Sequence, residues 1–143
     1  MLLIEDDQTA QKLVAKHFEK LGLLVVTRDT GESALEWLKA GEPVDVVICD
    51  LGLPGISGAA VVEALRADEA TAKVPIIVCS GRTSMQDHAL ALEAGADVFF
   101  EKPHRMKAIE EEVRRLLPEW HAEPSSPGTK RPSLIPTSVW KPK

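Results

Sequence analysis

Residues 44–58 read VDVVICDLGLPGISG, a mostly apolar run that ends at Asp50 and continues into a loop with three glycines and one proline. The apolar residues follow one another without polar alternation, which is typical of a strand covered on both faces. Glycine and proline supply the backbone conformations that turns need, so the loop is expected to leave the sheet here. The stretch therefore predicts a buried strand with an acidic side chain at its carboxyl end.

Four further apolar runs lie on either side of this one, and amphipathic stretches separate them. The predicted strands are Leu2 to Ile4, Leu23 to Thr27, Val44 to Cys49, Val74 to Cys79 and Asp97 to Phe100. Strands that alternate with helices form a parallel sheet with right-handed crossovers and helices on both faces. We therefore predict an α/β fold, a doubly wound parallel sheet of five strands in (βα)₅ order.

Apolar residues at helical spacing mark the intervening helices. Gly22 is expected to end the first helix, Ser57 to cap the third, and Ser84 to open a capping box before the fourth. The fourth helix is predicted over Ala89 to Ala94. The apolar residues that mark the others are Ala10, Leu13, Val14, Phe18 and Leu21 in the first helix, Leu35 and Leu38 in the second, Val61, Val62 and Leu65 in the third, and Met106, Ile109, Val113, Leu116 and Leu117 in the fifth.

Composition narrows the class of protein. The chain has 143 residues, a length that fits one globular domain. Its net charge of -5 disfavours a basic nucleic-acid-binding surface. No run approaches the about 18–20 apolar residues of a membrane span, and the first residues turn acidic too soon for a signal peptide. The two cysteines are too few for a disulfide scaffold or a four-cysteine zinc site. We therefore expect a cytoplasmic protein with no direct nucleic-acid partner and no membrane partner.

The composition changes at Pro118. Six of the ten prolines lie in residues 118–143, and two acidic and four basic residues give this segment a net charge of +2. The segment has no regular apolar pattern from which a second core could form. We predict one domain over residues 1–117, followed by a Pro-rich C-terminal tail or linker over residues 118–143.

Charged and hydroxyl side chains stand at the carboxyl ends of the predicted strands. Open parallel sheets bind ligands at this edge. Carboxylates that crowd together repel one another and attract a cation, and hard oxygen ligands without histidine or cysteine favour Mg²⁺. We therefore predict a magnesium site at this edge of the sheet. The side chains concerned are Glu5, Asp6 and Asp7 after the first strand, Asp50 after the third, Ser80 after the fourth, and Glu101 and Lys102 after the fifth.

Five landmarks in this order resemble the chemotaxis-type receiver domain of two-component response regulators. They are the pair Glu5-Asp6, the segment Asp50 to Gly58, the pair Ser80-Gly81, the aromatic Phe99 and the pair Lys102-Pro103. Each alone has an ordinary explanation, since aspartate is a common turn residue and a single lysine is usually on the surface. Their joint position at strand ends favours the resemblance, which implies a flavodoxin-like strand order, 2-1-3-4-5.

The resemblance implies a role for each acidic residue. Asp50 is expected to be the phosphoacceptor, whose carboxylate attacks phosphorus to give an aspartyl phosphate. Asp6 and Asp50 are expected to ligate Mg²⁺ directly, with the Gly52 backbone carbonyl as a third ligand. Glu5 is expected to reach the ion through water, and Asp7 falls just past this metal-binding pair.

The resemblance also implies how the phosphoryl group is sensed. Lys102 is expected to pair with Asp50 at rest and with a phosphoryl oxygen afterwards. The Ser80 hydroxyl is expected to donate to the phosphoryl group. Phe99, where the family more often has tyrosine, is expected to change rotamer with it. The response is expected to leave through the face formed by the fourth helix, the fifth strand and the fifth helix.

The predicted function is a phosphorylation-dependent signalling switch that accepts a phosphoryl group from a histidine kinase or a histidine phosphotransfer protein. It is expected to dock on an unknown output protein, and a homodimer stays open. We expect no enzyme activity beyond catalysis of its own Mg²⁺-dependent phosphorylation and dephosphorylation.

A stand-alone receiver or one excised from a longer protein fits the sequence, and an earlier natural start is expected because only four residues precede Glu5. Kinase choice is expected to depend on surface residues of the first helix, namely Gln8, Gln11, Lys12 and Ala15.

Two other functions stay open. A phosphorylation-independent interaction module would share the fold. A phosphatase of the aspartyl-phosphate type would share the chemistry, but Gly52 stands where that class has a second catalytic aspartate.

Cysteines and histidines are expected to play no part in the site. Cys49 and Cys79 each precede a site residue, so strand alternation turns them into the packing as small buried hydrophobes rather than redox sensors. The histidines show no ligand spacing and are expected to be ordinary surface residues; they are His17, His88, His104 and His121.

Overall fold

A computed structural model of the chain describes residues 1–81, 85–102 and 106–118. The predicted capping box at Ser84 and all but the first residue of the predicted tail lie outside these ranges. Within them, no helix is both long and apolar enough to cross a bilayer. The strands are β1 Leu2–Ile4, β2 Val26–Arg28, β3 Val47–Asp50, β4 Ile76–Ser80 and β5 Val98–Glu101, and the helices are α1 Gln8–Lys20, α2 Gly31–Lys39, α3 Gly58–Ala67, α4 Met85–Ala94 and α5 Met106–Leu116.

The five strands form one parallel sheet in the order β2-β1-β3-β4-β5, which confirms the predicted fold. Helices cover both faces. One core cluster joins the sheet to α2, α3 and α4 through residues such as Ala34, Val61 and Ala91. The other joins it to α1 and α5 through residues such as Phe18 and Ile109. Each central strand sends alternate side chains into the two clusters, so both of its faces are buried.

The last four strands begin later than the predicted runs, and each ends one residue further on. β3 starts at Val47, although residues 44–46 are also buried. The sequence pattern reports burial, whereas a strand also needs a hydrogen-bonded neighbour, and Val47 is the residue opposite Leu2 in the short β1. The prediction of five fully buried strands is also wrong. β2 and β5 are the edges of the sheet, and most of their side chains are only half-buried.

The predicted stripe on α1 is wrong at one position. Leu13 is 59% exposed, and Gln11 lies in the core beside Val14 and Phe18. Val14 and Phe18 are four residues apart, and the same helical face passes through Gln11, three residues before Val14. Leu13 lies off that face despite being apolar. The predicted end of α1 is confirmed by Gly22, whose φ of 99° places it in the left-handed region.

The predicted cap of α3 is also confirmed. The Ser57 side chain accepts a hydrogen bond from the Ala60 backbone N–H at 3.2 Å. Such a cap stabilises a helix by about 0.5–2 kcal/mol relative to alanine. It fixes the start of α3 directly after the loop that leaves Asp50.

Candidate functional site

The end of β1 supplies two carboxylates of different exposure. Glu5 is buried and its Oε2 accepts a hydrogen bond from the Asp7 backbone N–H at 3.1 Å, whereas Asp6 is exposed. The Asp7 side chain accepts from the Thr9 backbone N–H at 3.1 Å and caps α1. Asp7 is therefore engaged at the helix start, and Glu5 and Asp6 remain as the acidic pair.

Asp50 is the last residue of β3 and is buried. Its Oδ1 accepts a hydrogen bond from the Gly52 backbone N–H at 3.1 Å, which fixes the carboxylate. Behind it, α3 begins in close contact, because a Cβ at Gly58 would lie 2.3 Å from the Asp50 carbonyl oxygen. A glycine is therefore needed at this position, since the backbone atoms that it faces cannot move aside cheaply.

Three carboxylates come together at this edge. Glu5, Asp6 and Asp50 can each place one oxygen so that all three lie within 4.8 Å of one another. The donors are hard oxygens, which suit Mg²⁺ better than zinc or copper. The only ammonium that the described residues place against them belongs to Lys102, so the cluster keeps an excess of negative charge. The residues present fit a divalent cation.

Lys102 follows β5 and reaches both buried carboxylates. Its Nζ lies 2.8 Å from Glu5 Oε1 and 3.4 Å from Asp50 Oδ2, so the predicted pair with Asp50 is joined by a closer one with Glu5. Burial alone would lower the pKa of Lys102, but the hydrogen bond to Glu5 and the charge of Asp50 raise it above its ordinary value. The ammonium form is therefore favoured.

The pKa of Glu5 is raised above its ordinary value. Burial is the main cause and the charge of Asp50 adds to it, while the hydrogen bonds from Lys102 and from the Asp7 backbone N–H work in the opposite direction. One ammonium thus does not fully compensate two buried carboxylates. A divalent cation beside Glu5 and Asp50 would favour their charged forms.

Ser80 and Phe99 lie on the same face of the sheet, beside α4. Phe99 is opposite Val78 in the β4–β5 register, and Ser80 is two residues beyond Val78. Side chains two residues apart on a strand share a face, so Phe99 and Ser80 are diagonal neighbours. Ser80 is buried and Phe99 is half-buried. The Lys102 backbone N–H donates to the Ser80 carbonyl at 2.7 Å and ties this pair to the lysine.

The sequence misplaced one residue near the site, Gln11, and did not reveal a contact made by another, His88. Gln11 was predicted to be a surface residue for kinase choice, but it is buried, and its Nε2 donates to the Glu5 carbonyl and to Asp29 Oδ1, each at 2.9 Å. The spacing from Val14 was the signal that could have found it. His88 is exposed as predicted, yet its ring stacks on Phe99. Nothing in the sequence indicates that contact, because it joins two elements.

The other α1 residues that were expected on the surface differ in exposure, and both cysteines are buried as expected. Gln8 and Lys12 are exposed on α1, and Ala15 is half-buried. Cys49 and Cys79 are free and buried, and burial raises the pKa of both thiols. They are packing residues, one in each core cluster.

Comparison with known proteins identifies the family. The family model of the response regulator receiver domain matches residues 1–114. The chain belongs to this family. Response regulator receiver domains are parts of two-component systems; they take phosphate from histidine kinases, bind Mg²⁺ at an acidic cluster and are generally not classical enzymes.

Two curated relatives show how far the similarity extends in sequence. The transcriptional regulatory protein KdpE of Mycobacterium tuberculosis is 40% identical over 106 residues, which cover 74% of this chain and 45% of KdpE. The transcriptional regulatory protein CseB of Streptomyces coelicolor is 34% identical over 117 residues, which cover 82% of this chain and 48% of CseB. The chain spans about half the length of the curated relatives that it matches.

Solved structures agree over almost their whole length. A putative response regulator from Chloroflexus aurantiacus superposes with a TM-score of 0.75 at 28% identity and covers 80% of this chain and 94% of its own. The BeF3-activated N-terminal receiver domain of RstA from Klebsiella pneumoniae gives a TM-score of 0.72 at 28% identity, with the same two coverages of 80% and 94%. The receiver domain is therefore the unit that this chain shares with them.

Proposed function

We propose that this receiver domain is a phosphorylation-dependent signalling switch whose phosphoacceptor is Asp50. The observation that carries the proposal is the buried Asp50 carboxylate at the end of β3, with Lys102 3.4 Å away and two further carboxylates in reach of the same cation. The phosphoryl donor would be a histidine kinase or a histidine phosphotransfer protein. The domain would occupy residues 1–117, with residues 118–143 as tail or linker.

The proposed reaction is an in-line transfer to a carboxylate. One Asp50 oxygen attacks phosphorus, the P–O bond forms, the P–N bond of the phosphohistidine breaks, and the imidazole leaves. Gly52 N–H holds Oδ1 at 3.1 Å, and Oδ2 lies on the side of Lys102. The ammonium is therefore near the place where negative charge would build up on the phosphoryl oxygens.

We place Mg²⁺ at the carboxylate cluster. Asp6 and Asp50 would ligate it directly together with the Gly52 carbonyl, and Glu5 would reach it through water. When bound, the ion would neutralise charge on the phosphoryl oxygens and orient them. Glu5 is buried and accepts a hydrogen bond from Lys102. This contact would keep the lysine beside Asp50 with or without the ion.

The response would pass from Asp50 to the edge of the sheet. The Ser80 hydroxyl would turn toward the phosphoryl group, Phe99 would fill the space that it leaves, and the face of α4, β5 and α5 would change for an output protein. The position of Phe99 diagonal to Ser80 supports this route. We expect the kinase and the output protein to meet the domain in the cytoplasm, and self-association of the same face stays open.

Incubation with Mg²⁺ and acetyl phosphate, followed by intact-mass measurement, tests the proposal. The expected result is a stable adduct of one phosphoryl group that Asp50→Asn abolishes and Asp68→Asn, a change at an exposed aspartate on the end of α3, retains. No adduct would favour the phosphorylation-independent module. Steady turnover of the donor without an adduct would favour the phosphatase. An undiminished adduct on Asp50→Asn would refute the assignment of the phosphoacceptor.

A further inference from the structure

The imidazole of His88 covers one face of the Phe99 ring. Their ring centroids are 4.6 Å apart and the ring planes meet at 25°, a stacked arrangement. His88 projects from the first turns of α4 and is exposed, while Phe99 lies on β5 and is half-buried. An exposed ring thus closes over an aromatic side chain at the edge of the sheet.

The phenyl ring also packs against the core cluster that joins the sheet to α2, α3 and α4. It has no hydrogen-bonding group, so packing alone decides its position. Among the α4 side chains that the structure describes, the buried ones are small, namely Ala91 and Ala94, and Leu90 and Leu92 are exposed. Among the described residues of α4, His88 is the one with a ring against Phe99. The stack therefore holds one face of Phe99, in addition to the packing of Phe99 on the core.

Movement of Phe99 toward Ser80 and the stack on His88 compete. The imidazole covers the ring where it now lies, so a Phe99 ring that moved into the space beside Ser80 would have to change its overlap with the imidazole. A contact made in one state and absent from the other biases the equilibrium between them. The stack favours the state seen here.

We propose that His88 is a positioning residue that holds Phe99 in the half-buried position seen here, called outward below, and so sets how much of the active state exists before phosphorylation. The inference rests on the proposed switch and adds what sets the ratio of its two states before phosphorylation. A stacked aromatic pair contributes enough that its loss should raise the ratio of inward to outward Phe99 roughly 2- to 12-fold.

Two variants of His88 separate the ring from other properties of the residue. His88→Gln removes the ring and keeps a polar side chain at an exposed helical position, and His88→Phe keeps a ring. Leu90→Gln is the matched control, because Leu90 is exposed on the same helix and lies about 200° around it from His88. The ring signals of Phe99, one of three phenylalanines, report its position by NMR with and without Mg²⁺ and beryllofluoride as the phosphoryl mimic.

We expect Phe99 of unphosphorylated His88→Gln to shift part of the way toward its beryllofluoride-bound position, while His88→Phe and Leu90→Gln stay at the wild-type position. Amide signals of α4 confirm that each variant keeps the helix. If Phe99 occupies the same position in all four proteins and still responds to beryllofluoride, the role of His88 is refuted and the switch stands. If wild-type Phe99 does not respond to beryllofluoride, the proposed switch fails, and the role of His88 fails with it.

Discussion

The centre of the sheet and its β5 edge hold their functional side chains in contrasting ways. At the centre, Glu5 and Asp50 are buried, and each is fixed by a backbone N–H and by Lys102. At the edge, Phe99 is half-buried, and its face is covered by the exposed ring of His88. Hydrogen bonds from the backbone fix the positions of the two carboxylates. The stack with an exposed ring leaves other positions accessible to the Phe99 side chain.

The difference suits the two tasks that we propose for the regions. Phosphoryl transfer requires a nucleophile and a lysine that keep their positions, because misplacement of the reacting atoms is costly. A switch requires two states of similar free energy, and weak contacts at the edge provide them. Each of the following predictions perturbs one region and asks whether the other follows.

The largest expected effect is on the packing of the centre. Gly58→Ala places a Cβ 2.3 Å from the Asp50 carbonyl oxygen and 2.7 Å from Leu51 Cα, so α3 must move. We expect a loss of about 3 kcal/mol or more in the free energy of unfolding. Gly81→Ala is the control beyond β4, where an added Cβ meets no atom of the described residues within 4 Å, and it should change stability by about 0.5 kcal/mol at most. Urea denaturation of both measures this, and equal losses would show that the centre is not the tighter region.

The next effect concerns cation binding at the centre. Asp6→Asn removes one proposed Mg²⁺ ligand and relieves repulsion among the carboxylates. Wild type should gain about 2.7 kcal/mol of stability at a Mg²⁺ concentration 100-fold above its Kd. The variant should lose most of this gain and be at least as stable as wild type without Mg²⁺. Thermal melting with and without Mg²⁺ checks both parts, and Asp68→Asn should keep the gain. A full gain in Asp6→Asn would remove Asp6 from the site.

Ser80→Ala should uncouple the two regions. The Asp50 carboxylate and Lys102 keep their contacts, so phosphorylation by acetyl phosphate should continue. Coupling between sites is typically about 1–3 kcal/mol, and most of it should disappear when the hydroxyl is absent. Intact mass measures the adduct, and Phe99 ring signals measure the response in the same sample. A response of Phe99 as large as that of wild type would exclude Ser80 from the route.

The smallest effect lies at the contact between α5 and α1, on the other side of the sheet from α4. Glu110 on α5 accepts from Arg114 at 2.7 Å and contacts His17 Nε2 on α1 at 2.9 Å. Burial raises the pKa of Glu110, but these hydrogen bonds outweigh it and lower the pKa below its ordinary value. A carboxyl group whose pKa is lowered by folding stabilises the fold at pH values above its pKa in the unfolded chain. This contribution is lost as the pH falls through its pKa in the folded chain.

Glu110→Gln should therefore be less stable than wild type by about 0.5–1 kcal/mol at pH 7. The difference should vanish in acid, once Glu110 is protonated in wild type as well. Urea midpoints measured at neutral and acidic pH test this. A difference that grows as the pH falls would contradict the argument.

The sequence predicts the parts of the molecule that depend on a single element. Continuous apolar runs predict the buried central strands, and the polar residues that end them predict the cluster of Glu5, Asp6 and Asp50. Hydrophobicity alone misplaces Leu13 on α1, because the phase of the helix follows Val14 and Phe18 and brings Gln11 inward. The hydrogen bonds of Gln11 then offset the cost of burying an amide.

Contacts between elements could not be predicted in the same way. The stack of His88 on Phe99 depends on the distance between α4 and β5, and the closer approach of Lys102 to Glu5 than to Asp50 depends on how β1 and β5 end. Strand starts were also misplaced, because burial extends beyond the hydrogen-bonded ladder at residues 44–46. These features are set by tertiary geometry, which a pattern of residue types does not encode.

An amide chemical-shift map with Mg²⁺ and beryllofluoride tests most directly whether an event at Asp50 is read at the edge of the sheet. We predict shifts at the carboxyl ends of β1 and β3 and also at Phe99 and along α4 and α5, all of them absent from Asp50→Asn. Shifts confined to the residues around Asp50, with Phe99, α4 and α5 unchanged, would contradict the account.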